Sequence, residues 1–244
     1  MKMKQKILKT LVRIPFGNDI LREYRYWRNR SHLRGVRDAN ELFTRYFDEN
    51  VWGNRESVSG GGSTVAFTEN IRREIPLLID RYKVTSILDA PCGDYNWFRL
   101  IPRQPGVHYT GADIVEQLVR RNQGLYGNDN TAFVRLDIRT DRLPAADLWL
   151  CRDCLPHLPN RDILSVIDNF LKSDIRLLLT STYPECELNT DIPTGVFRVL
   201  NLQRPPFNFP DPVLFVDDGV EGRQLRKLGL WERKTLAASL VASR

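Results

Sequence analysis

The sequence predicts an α/β fold whose mostly parallel central sheet is covered by helices on both faces, and three observations carry that expectation. From Val84 onward, short apolar runs alternate with helical segments. The first run leads into LDAPCGDYNW, an acid followed by a glycine turn, the usual form of a strand that ends at a ligand. The chain has 244 residues, 42% of them hydrophobic and 27% charged, enough for one α/β core and ordinary for a globule. No apolar run approaches the roughly 18 residues of a membrane span. The start, MKMKQKILKTLVRIPFGNDI, lacks the long apolar core and small-residue cleavage site of a signal peptide. Cys92, Cys151, Cys154 and Cys186 are too few and too scattered for a disulfide framework. A cytoplasmic protein with reduced cysteines is the expectation.

The elements follow in order. Residues 1–37 hold eleven Lys or Arg against Asp19 and Glu23, a net +9, so the rest of a chain of net charge +6 carries −3. Ile7, Leu8, Leu11 and Val12 repeat at helical spacing among lysines, and Arg22, Arg25, Arg28 and Arg30 follow among Tyr24, Tyr26 and Trp27. Such an arm suits the anionic inner face of a membrane, its own domain, or RNA, although no RNA-binding signature accompanies it. The division expected is a basic helical arm over 1–50 and a domain over 51–244, with an insertion over 183–217. Asn40–Phe47 reads as a short helix. Val51–Thr64 is a polar connector with three consecutive glycines, and Ser63 or Thr64 caps a helix whose face is Ile71, Ile75, Leu78, Ile79 and Tyr82. VTSILDA, VHYTGADI, TAFVRLDI, ADLWLCRD and IRLLLTSTY read as strands. NWFRLI, VEQLVRRNQGLY and NRDILSVIDNFLK read as helices between or after them. The next thirty residues, from Tyr183, contain six prolines and little periodicity, which is long for a plain connection. LGLWERKTL reads as a closing strand.

In an open parallel sheet, ligands sit beyond the carboxyl ends of the strands. On that edge lie Asp89–Tyr95, Asp113, Asp137 and Cys151–His157. A diphosphate is disfavoured there, because Asp89 and Asp94 flank the single Gly93, which also argues against a nicotinamide oxidoreductase. A ligand with an ammonium group suits two acids, and Gly93 lets the backbone approach it, so S-adenosylmethionine is the candidate.

From about Ser57 to the C-terminus the chain resembles the class I S-adenosylmethionine-dependent methyltransferases. It is similar above all to a bacterial subgroup with D-A-P-C-G-D-x-x-W after the first strand. In the broad family that loop is D/E-x-G-x-G-x-G, and Pro91 and Tyr95 stand here for two of its glycines. The resemblance implies a Rossmann-like methyltransferase fold with about seven strands, S-adenosylmethionine as cofactor and S-adenosylhomocysteine as product. It places Asp89, Ala90, Gly93 and Trp97 at the methionine end, with Cys92 and Asp94 nearby. Asp113 with Ile114 would serve the ribose, and Asp137 with Ile138 the adenine. Arg152, Asp153 and His157 would face the methyl group, with Asp153 or His157 taking the acceptor's proton; capping a helix and packing are the alternatives for those two. Cys151 and Cys154 are expected to be buried small residues, and no metal is expected.

The Ser57–Ser63 segment is expected to fold over the cofactor or acceptor, with Ser59 and Gly60 touching the acceptor. Tyr183, Asn189, Asp191, Arg198 and Asn201 of the proline-rich segment suit a polyhydroxylated sugar, whose faces stack on rings and whose hydroxyls need polar partners. The subgroup's resemblance to tailoring enzymes of surface polysaccharide or glycolipid points to O-methylation of a glycan hydroxyl. RNA or a small metabolite is the alternative acceptor, and Arg198 and Arg204 are outnumbered by acids in the segment that would hold RNA. A non-catalytic, cofactor-binding scaffold of the same fold is the alternative from another class.

Overall fold

The computed structural model describes residues 32–219 and 226–242. The basic stretch over 1–31, and with it most of the arm read as a membrane or RNA contact, lies outside the described residues. Each apolar run expected as a strand is trimmed to its centre: β1 Ser86–Asp89, β2 His108–Asp113, β3 Thr131–Arg135, β4 Leu148–Cys151 and β5 Leu177–Thr182. Two more, β6 Leu214–Asp217 and β7 Lys227–Glu232, complete a seven-stranded sheet of order β3-β2-β1-β4-β5-β7-β6. The first five are parallel, and β7 runs antiparallel to both its neighbours. All residues of β4 and β5 are buried, which is why β4 and the first half of β5 are continuous apolar runs and not alternating ones, while Thr180, Ser181 and Thr182 end β5 as buried hydroxyls.

Among the described residues the α-helices are α1 Ala39–Asp48, α2 Glu69–Arg81, α3 Glu116–Tyr126, α4 Asn160–Lys172 and α5 Arg233–Ala242. On one face of the sheet Ile71, Ile75, Leu78 and Ile79 of α2 and Val119 of α3 pack with Tyr95, Phe98, Tyr109 and Phe133. On the other, Ile163, Val166, Ile167 and Phe170 of α4 and Leu236 of α5 pack with Trp149, Phe207, Phe209 and Trp231. Two helix layers over one sheet bring the carboxyl ends of β1, β2 and β4 to the same edge, with Asp89 in register with Gly111 and Leu150. Among the described residues no helix is long and apolar enough to cross a membrane.

Four local expectations change. The helix expected to start after Ser63 or Thr64 begins at Glu69, because Thr64 Oγ1 accepts from the Phe67 amide at 3.3 Å and makes a separate turn before it. NWFRLI contributes only the short turn Phe98–Leu100, since Trp97 and Phe98 are both buried and Pro102 stops continuation. LGLWERKTL is half strand and half helix, passing from β7 to α5 between Glu232 and Arg233. The end of the proline-rich insertion, Leu214–Asp217, is edge strand β6.

Candidate functional site

A cavity of about 280 Å³ lies at the carboxyl edge of the sheet, walled by the ends of β1 and β2, by α1 and α3, and by the connector before β1 and the loops that follow the strands. Asp89, Cys92, Gly93, Trp97, Asp113, Ile114, Asp137, Ile138, Arg152, Asp153, His157, Ser59 and Gly60 all line it. Ala90 and Asp94 do not. Ala90 is wholly buried and its carbonyl accepts from Trp149 Nε1 at 2.9 Å, so it braces the sheet and does not face a ligand.

The two strand-end acids are poorly compensated. Asp89 is 2% exposed, and the Tyr109 hydroxyl donates to its Oδ2 at 2.7 Å. Burial pushes its pKa up to about 7 against the lowering pull of Tyr109 and Arg152, with Asp113 adding to the rise. Asp113 accepts from the amides of Gly93 and Val115, each at 3.1 Å, yet burial still lifts it to about 6. Gly93 has φ +56, and a Cβ there would come within 2.1 Å of Ser59 Oγ, so only glycine fits the turn.

Asp94, the second acid of the turn, faces away from the cavity and ties down the connector. Its carboxylate accepts from Ser57 Oγ at 3.0 Å, the Val58 amide at 3.0 Å and Ser59 Oγ at 3.4 Å. Asn96 Nδ2 adds bonds to Glu56 Oε1 at 3.0 Å and to the Ser63 carbonyl at 3.1 Å. The glycine segment therefore lies stitched along the β1 loop at the cavity wall, and Asp94 holds it there and does not line the cavity where a cofactor contact was expected.

Asp137 turns both oxygens to Arg139, Oδ1 from Nε at 2.9 Å and Oδ2 from Nη2 at 2.6 Å, while Arg139 Nη1 reaches Asp162 at 2.9 Å. Burial alone would raise the Asp137 pKa, but the Arg139 hydrogen bonds and charge outweigh it and hold the carboxyl below its usual value. The carboxylate assigned to the adenine amine is thus shared with a neighbouring cation.

Beyond β4 four charges meet. Arg152 Nε and Nη2 donate to Asp218 Oδ2 and Oδ1 at 2.9 and 2.8 Å, Nη2 also reaches the Gly62 carbonyl at 2.6 Å, and the guanidinium lies 5.1 Å over the Trp97 ring. Asp218 also pairs with Arg226 Nε at 2.8 Å, and Arg226 Nη1 pairs closely with Asp153. Asp153 sits at φ +55, anchored by its amide to Ser181 Oγ at 2.8 Å. Burial would raise its pKa, but Arg226, Arg152 and His157 together bring it to about 2. A carboxylate so held is a poor proton acceptor, which counts against the expected role of Asp153 as a base, although its side chain lines the cavity. His157 remains at the cavity wall, its ring 5.4 Å from that of Phe197 and 6.3 Å from that of Trp52.

Sequence reasoning missed the α1 wall, where Ala39, Phe43 and Phe47 with Trp52 and Leu158 close the cavity, and α1 packs on α3. The amphipathic pattern of Asn40–Phe47 signals a helix but not what it covers. Asp218 and Arg226 were missed too, since neither belongs to a motif.

The acceptor residues expected from the proline-rich segment lie off the cavity. Asn189 Nδ2 donates to the carbonyls of Asn201 and Pro205 at 2.8 and 2.9 Å, and Asn201 Nδ2 to those of Pro184 and Cys186 at 3.0 and 2.9 Å. Arg198 donates to the Leu158 carbonyl and, at 2.9 Å, to Asn160 Oδ1, while Asp191 accepts from the Asn160 amide at 2.7 Å. Tyr183 is buried, with Asp153, Asp218 and Arg226 acting on its hydroxyl. A segment with so little regular structure must satisfy its backbone through side chains, as Asn189, Asp191, Arg198 and Asn201 do here, and none of the five residues lines the cavity where acceptor contacts were expected.

No family model and no curated protein matches the chain. Solved structures do resemble it. Magnesium protoporphyrin IX methyltransferase from Synechocystis PCC 6803 with bound SAM superposes at TM-score 0.53 and 17% identity, over 81% of this chain and 98% of that one. Human N-acetylserotonin methyltransferase in complex with SAM gives 0.51 at 15% identity over 86% and 67%. The [4+2]-cyclase SpnF gives 0.55 at 15% identity over 86% and 84%. At these identities the likeness is one of fold.

Proposed function

We propose that the protein is an S-adenosylmethionine-dependent methyltransferase acting on a hydroxyl acceptor. The observation that carries this reading is the pair of desolvated carboxylates, Asp89 and Asp113, set at adjacent strand ends beside a turn that only glycine can make. A buried carboxylate whose pKa stands near 7 is stabilised by a cation brought to it, and the ammonium of an amino acid is one. Asp113, which lines the same cavity, would accept from paired ribose hydroxyls. Arg152 offers the opposite charge for the ligand's carboxylate, and Ile114, Ile138, Leu118 and Leu158 give the apolar walls a purine needs. The structural likeness to proteins holding SAM agrees with this assignment. The bound cofactor would supply an electrophilic methyl carbon on a sulfonium. The chain's own task is then to align the acceptor, exclude water with the glycine segment and α1, and accept a proton at the His157 imidazole.

For the acceptor, the reading is a sugar or glycan hydroxyl of bacterial surface polysaccharide or glycolipid. Its support is Trp52, which is 37% exposed and lines the cavity beside His157, an aromatic platform of the kind on which sugar rings stack. The basic arm over 1–37 would bring such an enzyme to an anionic membrane face.

Calorimetric titration with S-adenosylhomocysteine and with NAD, on wild type and Asp113→Ala, tests the cofactor. Micromolar binding of the first ligand alone, lost in the variant, is expected; absence of heat with both ligands would remove the reading. Among acceptors, His157→Ala should lower kcat on a glycan substrate by roughly a hundredfold with cofactor affinity unchanged, and unchanged turnover would remove His157 as the base.

A further inference from the structure

We infer that Asp218 is a positioning residue that aims the Arg152 guanidinium at the carboxylate of the ligand's amino-acid group. The inference rests on the cofactor reading above and adds to it a residue from the far side of the sheet, just beyond β6, that no motif marks.

Asp218 is 1% exposed and its side chain wholly buried. Such a carboxylate persists only where cations surround it. It has two, Arg152 through a bidentate pair and Arg226 through Nε. The bidentate geometry matters, because a fork gripped at Nε and Nη2 cannot rotate about its axis. Nη2 is further engaged by the Gly62 carbonyl, and Trp97 lies against the guanidinium face. That leaves Nη1 as the guanidinium nitrogen with no partner among the described residues, on a side chain that lines the cavity together with Asp89.

Arg152, Arg226, Asp153 and Asp218 together sum to zero charge. A ligand carboxylate at Nη1 adds one negative charge to this set, and its ammonium beside Asp89 adds the matching positive one. Both ends of a zwitterion therefore find a partner, the carboxylate at the Nη1 donor of an otherwise balanced set and the ammonium at the buried Asp89 carboxylate. Arg226, fixed between Asp218 and Asp153, keeps Asp153 from capturing Arg152 in place of the ligand. Without Asp218, Arg152 would be free to swing toward Asp153 and its Nη1 donor would be lost from the wall.

A merely structural Asp218 would disturb every ligand of the cavity alike, whereas a positioning Asp218 matters only to ligands with the amino-acid tail. The test compares S-adenosylhomocysteine with 5′-methylthioadenosine, which has the same nucleoside and thioether but no amino-acid group. Both are titrated calorimetrically into wild type, Asp218→Asn and Arg152→Gln, with melting temperatures recorded for each. The expected result is a loss of about tenfold or more in S-adenosylhomocysteine affinity in both variants, with 5′-methylthioadenosine affinity held within about threefold. Equal losses for the two ligands, or no loss for either, would overturn the inference while leaving the cofactor reading intact. If Asp218→Asn does not fold, Arg152→Gln, which leaves Asp218 paired with Arg226, decides by the same ratio. Wild type that binds neither nucleoside would bring down the cofactor reading itself, and the positioning role with it.

Discussion

Asp89 and Asp113 are destabilising in the empty protein, and that is measurable. Their folded pKa values, about 7 and about 6, stand above the value of about 4 that an aspartate has in an unfolded chain. A group raised in this way contributes stability that is full below that unfolded value and is lost as pH rises through the folded one. Between about pH 4 and pH 8 the apo protein should therefore lose melting temperature through these two groups. Asp89→Asn, which keeps an acceptor for the Tyr109 hydroxyl, should flatten the profile, raise the apo melting temperature at pH 8 and abolish S-adenosylhomocysteine binding. A variant no more stable than wild type at pH 8 would contradict this account. Asp94 shows where residue-scale reading ran out. In LDAPCGDYNW the acids on either side of Gly93 look alike, yet one is buried at a strand end and the other is turned outward to three donors of the Ser57–Ser59 backbone and side chains. No spacing rule separates them, because the difference depends on a segment more than thirty residues upstream.

Elements with strong periodicity were legible and those held together by side-chain hydrogen bonds were not. The fully buried β4 and β5 and the amphipathic α4 follow from apolar runs and 3.6-residue spacing alone. Strand β6 is only four residues long and follows Pro210 and Pro212, so its short alternation is submerged in a proline-rich segment. The fold of that segment hangs on Asn189 and Asn201, which exchange bonds and cap four other carbonyls between them. Asn201→Ala leaves the Pro184 and Cys186 carbonyls and the Gln203 amide without their partner and should lower stability by about 1–3 kcal/mol in denaturant titration, with little direct effect on cofactor affinity in the protein that remains folded. Gly93→Ala acts on a different element. Its Cβ would strike Ser59 Oγ, so the glycine segment must lift away, and the expected outcome is a folded protein with S-adenosylhomocysteine affinity reduced at least tenfold. Unaltered affinity would mean that the segment is not part of the closed site.

At the scale of the whole molecule, the sheet order places β1 between β2 and β4, and this is what turns three acids far apart in sequence into neighbours of one cavity. That much follows from strand alternation and the right-handed crossover rule. The remaining walls do not, for they come from α1 and the glycine segment before the first strand, while charged residues flanking β6 and β7 hold Arg152 and Asp153 in place behind the wall. Each of those pieces is placed by long-range contacts, such as Tyr46 against Gly195 and Arg152 against Asp218, on which local sequence is silent.

The stitched glycine segment also has a consequence in time. With Asp94, Glu56 and Asn96 holding it over the cavity, a ligand of nucleoside size enters only after those bonds have parted, so encounter and admission are separate events. In stopped-flow mixing, the observed association rate should rise with ligand concentration and then level off at the rate at which the segment opens. Asp94→Ala should lift that plateau, and a strictly linear dependence up to high concentration would show that the doorway is elsewhere.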